Sequence, residues 1–342
     1  MSNDTKAPAP VTAAQIGCGY WGPNLLRNFA ALDGCRVKYV VEQSEERRRF
    51  ALKAVPGIQA IPDAAPVLAD PAVDAVIVAT PAHTHFELAL AALRAGKHVF
   101  VEKPLATSGR EVEELGRVAA EVGRVLMVGH TFLYNSAVRY VKKMIDGGEL
   151  GEVRYIYCQR LNLGRIRADV DAWWNLAPHD VSIVQYWLND LEPTRVTRTG
   201  MAYIQDKVDD VVFVTLQYPN RVMANIHVSW LDPHKTRKIV IVGSKRMVVY
   251  DDTADNKIVI FDKGIDKVAR LGEDMHYDRL AVERFNYRSG DIVCPGIAYP
   301  EPLREEARHF LECIQKGTRC LTGPEHARTV VSILERADAA RA

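Results

Sequence analysis

The stretch "VTAAQIGCGYWGPNLLRNFAAL", residues 11–32, decides the fold. An apolar segment, VTAAQIG, reads as a short strand. It runs into Gly17-Cys18-Gly19-Tyr20-Trp21-Gly22, and a helical pattern, PNLLRNFAAL, follows. This is G-x-G-x-x-G in the setting that gives it meaning, with a strand before and a helix after. Gly17, Gly19 and Gly22 permit a tight turn and a close approach of backbone to a pyrophosphate, with Tyr20 and Trp21 in the same loop. The helix N-terminus supplies free N–H groups and a partial positive charge.

A second strand, CRVKYVVE, ends at Glu42, twenty residues past Gly22. A carboxylate there holds the adenosine ribose hydroxyls of a dinucleotide and repels a 2′-phosphate. The run Arg47-Arg48-Arg49 reads as a solvated helix face, although one arginine is placed to accept a 2′-phosphate. NAD is therefore the expected cofactor, ahead of NADP.

The strand–helix rhythm continues. VDAVIVAT (73–80) is a near-continuous apolar run, as in a parallel strand covered on both faces. It ends at Thr80-Pro81, and a helix closed by Gly96 follows. HVFVEKPLA (98–106) gives the next strand, then a helix capped by Ser108, then the strand RVLMVGH (124–130). Such alternation implies a parallel sheet with right-handed crossovers and ligands outside the carboxyl ends of its strands. Thr80, Glu102-Lys103 and His130 all fall at such ends. Lys103 is thus expected in the cofactor crevice, held extended by Pro104. Partial burial and nearby positive charge would lower its pKa and permit proton exchange near neutral pH. A surface lysine at a strand end is the plain alternative.

After His130 the pattern changes. One helix (135–147) precedes strand candidates at 152–163, 195–203, 210–218, 222–231, 237–243, 246–251 and 257–262, then two helices at 301–316 and 324–341. In VMANIHVSWL, Val222, Ala224, Ile226, Val228 and Trp230 share one face, a period of two. The expected fold is an α/β Rossmann domain followed by an α+β domain with a large, mostly antiparallel, open sheet. Residues 1–10 form a loose tail, 11–130 the dinucleotide-binding domain and 131–342 the substrate domain. Inserted before the main sheet is NLGRIRADVDAWWNLAPHDVSIVQYWL (162–188). Helical spacing is read from Leu176, placing His179 in the first turns, where an imidazole tends to stay neutral, as a general base must be. Arg165, Arg167, Trp173, Trp174 and Asn175 crowd the same stretch and would suit a phosphate-bearing, ring-containing substrate. Taken singly, the tryptophans also read as core and the arginines as surface.

Composition excludes several classes. The 342 residues are 48% hydrophobic with a net charge of +1, giving no bulk field for nucleic acid or an anionic membrane. No apolar run approaches the roughly 20 residues that span a bilayer. The six scattered cysteines lack any C-x-x-C and read as reduced thiols of a cytoplasmic protein. No cysteine or carboxylate lies at zinc-site spacing from His83-Thr84-His85, so no metal is expected.

The combination G-C-G-Y-W-G, A-T-P-x-x-x-H (79–85), G-K-H-V-F-V-E-K-P-L-A (96–106) and A-P-H-D (177–180) resembles the Gfo/Idh/MocA oxidoreductases, which include glucose–fructose oxidoreductase and inositol dehydrogenase. The resemblance implies a Rossmann domain and an α/β domain whose open sheet face builds homodimers or homotetramers. It implies Lys103 and His179 as catalytic residues, with Thr80, Pro81, His85 and Glu102 at cofactor-contacting positions. The family commonly reads D-x-x-x-H where this chain has Asn175, which cannot carry charge or raise the basicity of His179. NLGRIR…WNLAPHDVSIV and HVSWLDPHKTRKIVIVGSKRMVVYDD look like the subgroup that oxidises C3 of a UDP-N-acetyl sugar. There Arg165, Arg167 and Lys103 would meet substrate polar groups. Two alternatives stay open: a free sugar or cyclitol dehydrogenase, or ketosugar reductase, of the same fold, and an NAD-binding sensor or scaffold.

Overall fold

In a computed structural model, residues 9–268 and 284–341 are described. Residues 1–8 of the expected tail lie outside them. The chain divides into two compact units. One comprises Met1–Ser136, Val181–Gln185 and Tyr299–Ala339, the other Ala137–Asp180, Tyr186–Ala298 and Ala340–Ala342.

The first unit alternates β1 (Val11–Ile16), α1 (Gly22–Ala30), β2 (Cys35–Val41), α2 (Glu45–Ala54), β3 (Gln59–Ile61), α3 (Ala65–Ala69), β4 (Ala75–Val78), α4 (His85–Arg94), β5 (His98–Glu102), α5 (Gly109–Glu121) and β6 (Leu126–Gly129). The strands form one parallel sheet in the order β3-β2-β1-β4-β5-β6, so the order reverses between β1 and β4. All four residues of β4 are fully buried, as a strand covered on both faces requires. Register aligns the strand ends: Ile16 pairs with Val41 and Val78, and Val101 with Val78 and Val128. The residues that follow, Gly17, Glu42, Ala79, Glu102 and Gly129, therefore stand in one row along the carboxyl edge. Ser108 and Glu111 close a capping box at the start of α5, fixing where the chain re-enters a helix after β5.

The closing helices α8 (Pro302–Lys316) and α9 (Pro324–Ala339) are grouped with this unit, not with the second domain to which the sequence reading assigns them. Phe310 of α8 packs edge-on against Phe29 of α1 and Phe100 of β5, with ring centroids 6.2 and 5.7 Å apart. Chain order alone does not reveal such a return to the first core.

The second unit holds α6 (Ser136–Asp146), β7 (Val153–Leu161), α7 (Ala172–Trp187), β8 (Arg195–Met201), β9 (Val211–Gln217), β10 (Met223–Ser229), β11 (Thr236–Gly243), β12 (Met247–Asp251), β13 (Ile258–Val268) and β14 (Arg284–Val293). Ser136 of α6 and Val181–Gln185 inside α7 count with the first unit. The eight strands run β14-β13-β12-β11-β7-β10-β9-β8, antiparallel except where β10 pairs with β7. One face buries Ile156, Val214, Ile226 and Ile241, while Tyr155, Phe213 and Met223 on the other are exposed. The sequence reading ends its strands at 262 and misses β14. Phe285, Tyr287, Ile292 and Val293 in that strand are exposed, so no buried face imposes an apolar alternation.

Candidate active site

The glycine loop is built by close approach. Gly17 has φ +94°, and a Cβ there would stand 2.5 Å from the Ala79 carbonyl oxygen. A Cβ on Gly22 would meet the Gly17 carbonyl oxygen at 2.7 Å. Only glycine lets β1, β4 and α1 pack this tightly at the point where the strand order reverses. Tyr20 projects outward as an exposed ring, while the partly exposed Trp21 reaches the Glu102 carboxylate with its side chain. The first turn of α1 holds no acidic residue and no side-chain cap; Pro23 has no amide N–H and Asn24 N donates to the Trp21 carbonyl at 2.9 Å, so no side chain competes for the Gly22 amide at the helix start. From the end of β2 the Glu42 carboxylate accepts hydrogen bonds from Cys18 N at 2.8 Å and Ser44 N at 3.0 Å. Arg47 Nη1 lies 4.0 Å from that carboxylate. The loop, the uncapped helix and the acid at the strand end fit a dinucleotide with an unmodified ribose. They are the donor set for NAD.

Thr80 follows β4, and its hydroxyl is 2.7 Å from that of Thr84, which donates to the Pro81 carbonyl at 2.8 Å. His85 does not line the crevice as expected of a cofactor contact. Its ring is buried, with Nδ1 2.7 Å from the Pro104 carbonyl and Nε2 2.9 Å from the Thr80 carbonyl. It braces the chain after β4 against the chain after β5. Burial pushes its pKa down, against the two carbonyl bonds.

Lys103 is half-buried at the carboxyl end of β5, before a cis peptide bond to Pro104. Glu102 lies beneath, and a Cβ on Gly129 would stand 3.1 Å from its Oε1. Its carboxylate accepts from Lys103 N at 3.2 Å and from the Trp21 side chain. Burial raises the Glu102 pKa to about 7, against the pull of Lys103. Glu306 of α8 is fully buried, and its pKa is pushed well up by burial and by Glu102. One oxygen of each carboxyl group meets no hydrogen-bond donor among the described residues. The sequence reading misses Glu306, whose helix looks like an ordinary amphipathic one. His130 is buried against His326, ring centroids 5.4 Å apart, and burial pushes its pKa well down.

In the second unit, α7 begins earlier than the sequence reading has it. Asp171 caps it, its Oδ1 accepting from Trp174 N at 3.0 Å, and Pro178 lies inside the helix. His179 is thus well past the first turn, and the expectation that a helix N-terminus keeps it neutral does not hold, because that field fades within a turn. Asn175 stands one turn before it and accepts a hydrogen bond from Trp230 Nε1 at 3.2 Å. Trp174, Asn175 and His179 are half-buried, while Trp173 is core. Asp180, next to His179, is buried in a bidentate pair with Arg160 of β7, at 2.6 and 3.1 Å. This anchor of α7 is a second feature the sequence reading misses. Arg167 pairs with Asp169 at 2.8 and 2.5 Å, so a substrate anion would compete with a neighbouring carboxylate. Arg165 is exposed.

Comparison with known proteins completes the picture. Residues 11–130 match the oxidoreductase family model with an NAD-binding Rossmann fold, and residues 138–249 match the GFO/IDH/MocA C-terminal domain. The chain belongs to the Gfo/Idh/MocA oxidoreductase family. It is 30% identical over 251 residues to a UDP-N-acetylglucosamine 3-dehydrogenase of Acidithiobacillus ferrooxidans, covering 73% of this chain and 76% of that protein. It is 29% identical over 252 residues to a 2,7-anhydro-N-acetylneuraminate hydratase of Mediterraneibacter gnavus, covering 70% of this chain and 66% of that one. Its fold matches the crystal structure of a putative oxidoreductase from Magnetospirillum magnetotacticum with a TM-score of 0.80 at 27% identity, over 96% and 99% of the two chains. Among the described residues no helix is long and apolar enough to cross a membrane.

Proposed function

We propose that the protein is an NAD-dependent dehydrogenase that oxidises a sugar hydroxyl to a ketone, at C3 of a UDP-N-acetyl sugar. One observation supports this above others: Lys103 follows β5 in the row of strand ends that carries the glycine loop and Glu42. When bound, NAD supplies the hydride acceptor. The substrate carbon gives up hydride as its hydroxyl gives up a proton, so two electrons and one proton leave with the hydride and the second proton goes to the protein. His179 accepts that proton, and Lys103 holds the oxygen and stabilises the negative charge that develops on it. Gly17, Gly19, Tyr20, Trp21, Gly22, Glu42, Thr80 and Pro81 are assigned to the cofactor, and Arg165, Trp174 and Asn175 to the sugar and its phosphates. Glu102 and His85 are assigned to holding Lys103 and its loop in place. The nucleotide-linked sugar rests on the resemblance to the 3-dehydrogenase. Homo-oligomer formation through the open sheet face, where Tyr155, Phe213 and Met223 are exposed, belongs to the same reading and is checked by light scattering.

The test is incubation with NAD and UDP-N-acetylhexosamines or their uronic acids, following absorbance of the reduced cofactor. Turnover with a UDP-N-acetyl sugar, reduced by about 10²–10⁴-fold in Lys103→Ala while NAD still binds, is expected. Turnover of free inositol or glucose alone would move the substrate to the cyclitol and free-sugar class. Tight NAD binding with no turnover on any polyol would leave a sensor or scaffold.

A further inference from the structure

The last turns of α8 and the connector to α9 gather three donors that the dehydrogenase reading does not use. His309 and Cys313 stand four residues apart on α8 and so share a face. Cys320 returns to them from the connector. One ligand atom from each lies within 4.8 Å of the others. His309 Nε2 and Cys313 Sγ are 3.5 Å apart. A tetrahedral ion with arms of about 2.3 Å to sulfur and about 2.0 Å to nitrogen spaces those two donors by about 3.5 Å. From sequence no metal is expected, on the ground of His83-Thr84-His85, and His309, Cys313 and Cys320 are not singled out there.

The connector is shaped around the Cys320 sulfur. The Thr322 backbone N–H, two residues on, donates to that sulfur. Such a bond orients and supports a thiolate ligand from its outer side. Gly323 folds over the same residue, where a Cβ would come within 3.6 Å of Cys320 Cβ and 4.0 Å of Sγ. The connector is itself tied to β6, since Val128 N donates to the Thr322 carbonyl at 2.9 Å. Cys313 is buried, while His309 and Cys320 are half-buried.

We propose that His309 Nε2, Cys313 Sγ and Cys320 Sγ hold one zinc-class divalent cation, with water as the fourth ligand. Two thiolates and an imidazole select such an ion over magnesium or calcium. Binding releases the two thiol protons. It also displaces the Leu321 N–H, which now donates to His309 Nε2 at 3.1 Å. The ion would fasten the α8–α9 connector to α8, and this role is independent of the dehydrogenase reading.

The test uses the full-length protein, reduced, stripped with a chelator and titrated with Co²⁺ and then Zn²⁺. One equivalent of Co²⁺ should bind with a thiolate-to-metal charge-transfer band and tetrahedral d–d bands, both bleached by Zn²⁺. Cys313→Ser, Cys320→Ser and His309→Ala should each weaken zinc binding by more than about 100-fold, beyond the 10–100-fold of an outer-shell change. The connector variant Cys320→Ser should keep its far-UV circular dichroism and NAD binding, which separates loss of a ligand from loss of the fold. A reduced protein that takes up no cobalt, or a Cys313→Ser/Cys320→Ser double variant that takes it up equally well, would overturn the proposal. So would octahedral spectra without the thiolate band.

Discussion

The carboxylate of Glu42 reaches across the end of the sheet to accept a 2.8 Å hydrogen bond from the backbone N–H of Cys18, inside the glycine loop. The register of β1 and β2 makes this possible, because Ile16 and Val41 are partners and the residues that follow them turn toward each other. A ribose bound at this edge would take over the carboxylate that now holds the loop. Glu42→Ala should weaken NAD binding by about 10–100-fold, the value of one or two hydrogen bonds to a charged group. It should weaken NADP binding much less, since the carboxylate that repels a 2′-phosphate is gone and Arg47 is close by. Calorimetric titration with each cofactor checks this. An unchanged Kd for NAD would remove Glu42 from the site.

The Arg160–Asp180 pair makes a different kind of prediction. Both side chains are buried, and the pair joins β7 to α7. Removing one partner strands a buried charge, so Asp180→Ala should cost about 3–5 kcal/mol of stability in denaturant titration. Replacing both, as in Arg160→Met with Asp180→Leu, should recover most of that loss. If the single variant kept wild-type stability, the pair would not be the anchor of α7.

Glu306 links burial to pH. Burial raises its pKa well above the usual carboxylate range, and the neighbouring Glu102 adds to the effect while being raised to about 7 itself. A raised carboxyl pKa means the folded state keeps a proton that the unfolded state releases above about 4.5. Stability from these groups is therefore present below that pH and is lost as pH rises, for Glu102 across the interval from about 4.5 to about 7. Glu306→Gln keeps an acceptor for the Thr131 hydroxyl, now 2.7 Å from Glu306 Oε2, and carries no charge. Its Tm relative to wild type should rise from pH 5 to pH 8. A difference in Tm that is flat with pH would contradict this.

Much of the first unit was legible because its strands are buried on both faces and its glycines have steric reasons. VDAVIVAT could be little else than a central parallel strand, and Gly17 and Gly22 stand where any Cβ collides with backbone. What escaped reading is what depends on distant partners. The place of α8 is fixed by Phe29 and Phe100, which lie far away in the chain. The apolar spacing starts α7 at Leu176, whereas the cap is Asp171 and Pro178 lies inside the helix. β14 has no buried face to write a pattern into its sequence. Glu306, Asp180 and the His309-Cys313-Cys320 cluster gain their chemistry from burial and from neighbours that no local spacing announces.

Asn175 offers the sharpest test of the base. It stands one helical turn before His179, on the same face of α7, so a carboxylate there would lie beside the imidazole. Its Oδ1 accepts a hydrogen bond from Trp230 Nε1, and an aspartate would accept the same bond, so Asn175→Asp should fold normally. The added negative charge favours imidazolium over imidazole. A general base works only unprotonated. The rising acidic limb of the kcat/KM profile should therefore move to higher pH. On the alkaline plateau the stronger base should turn over faster. Measuring the profile of both forms with the same substrate separates the two effects. A limb that stays in place, with normal folding and normal NAD affinity, would mean that the proton leaves the substrate by another group.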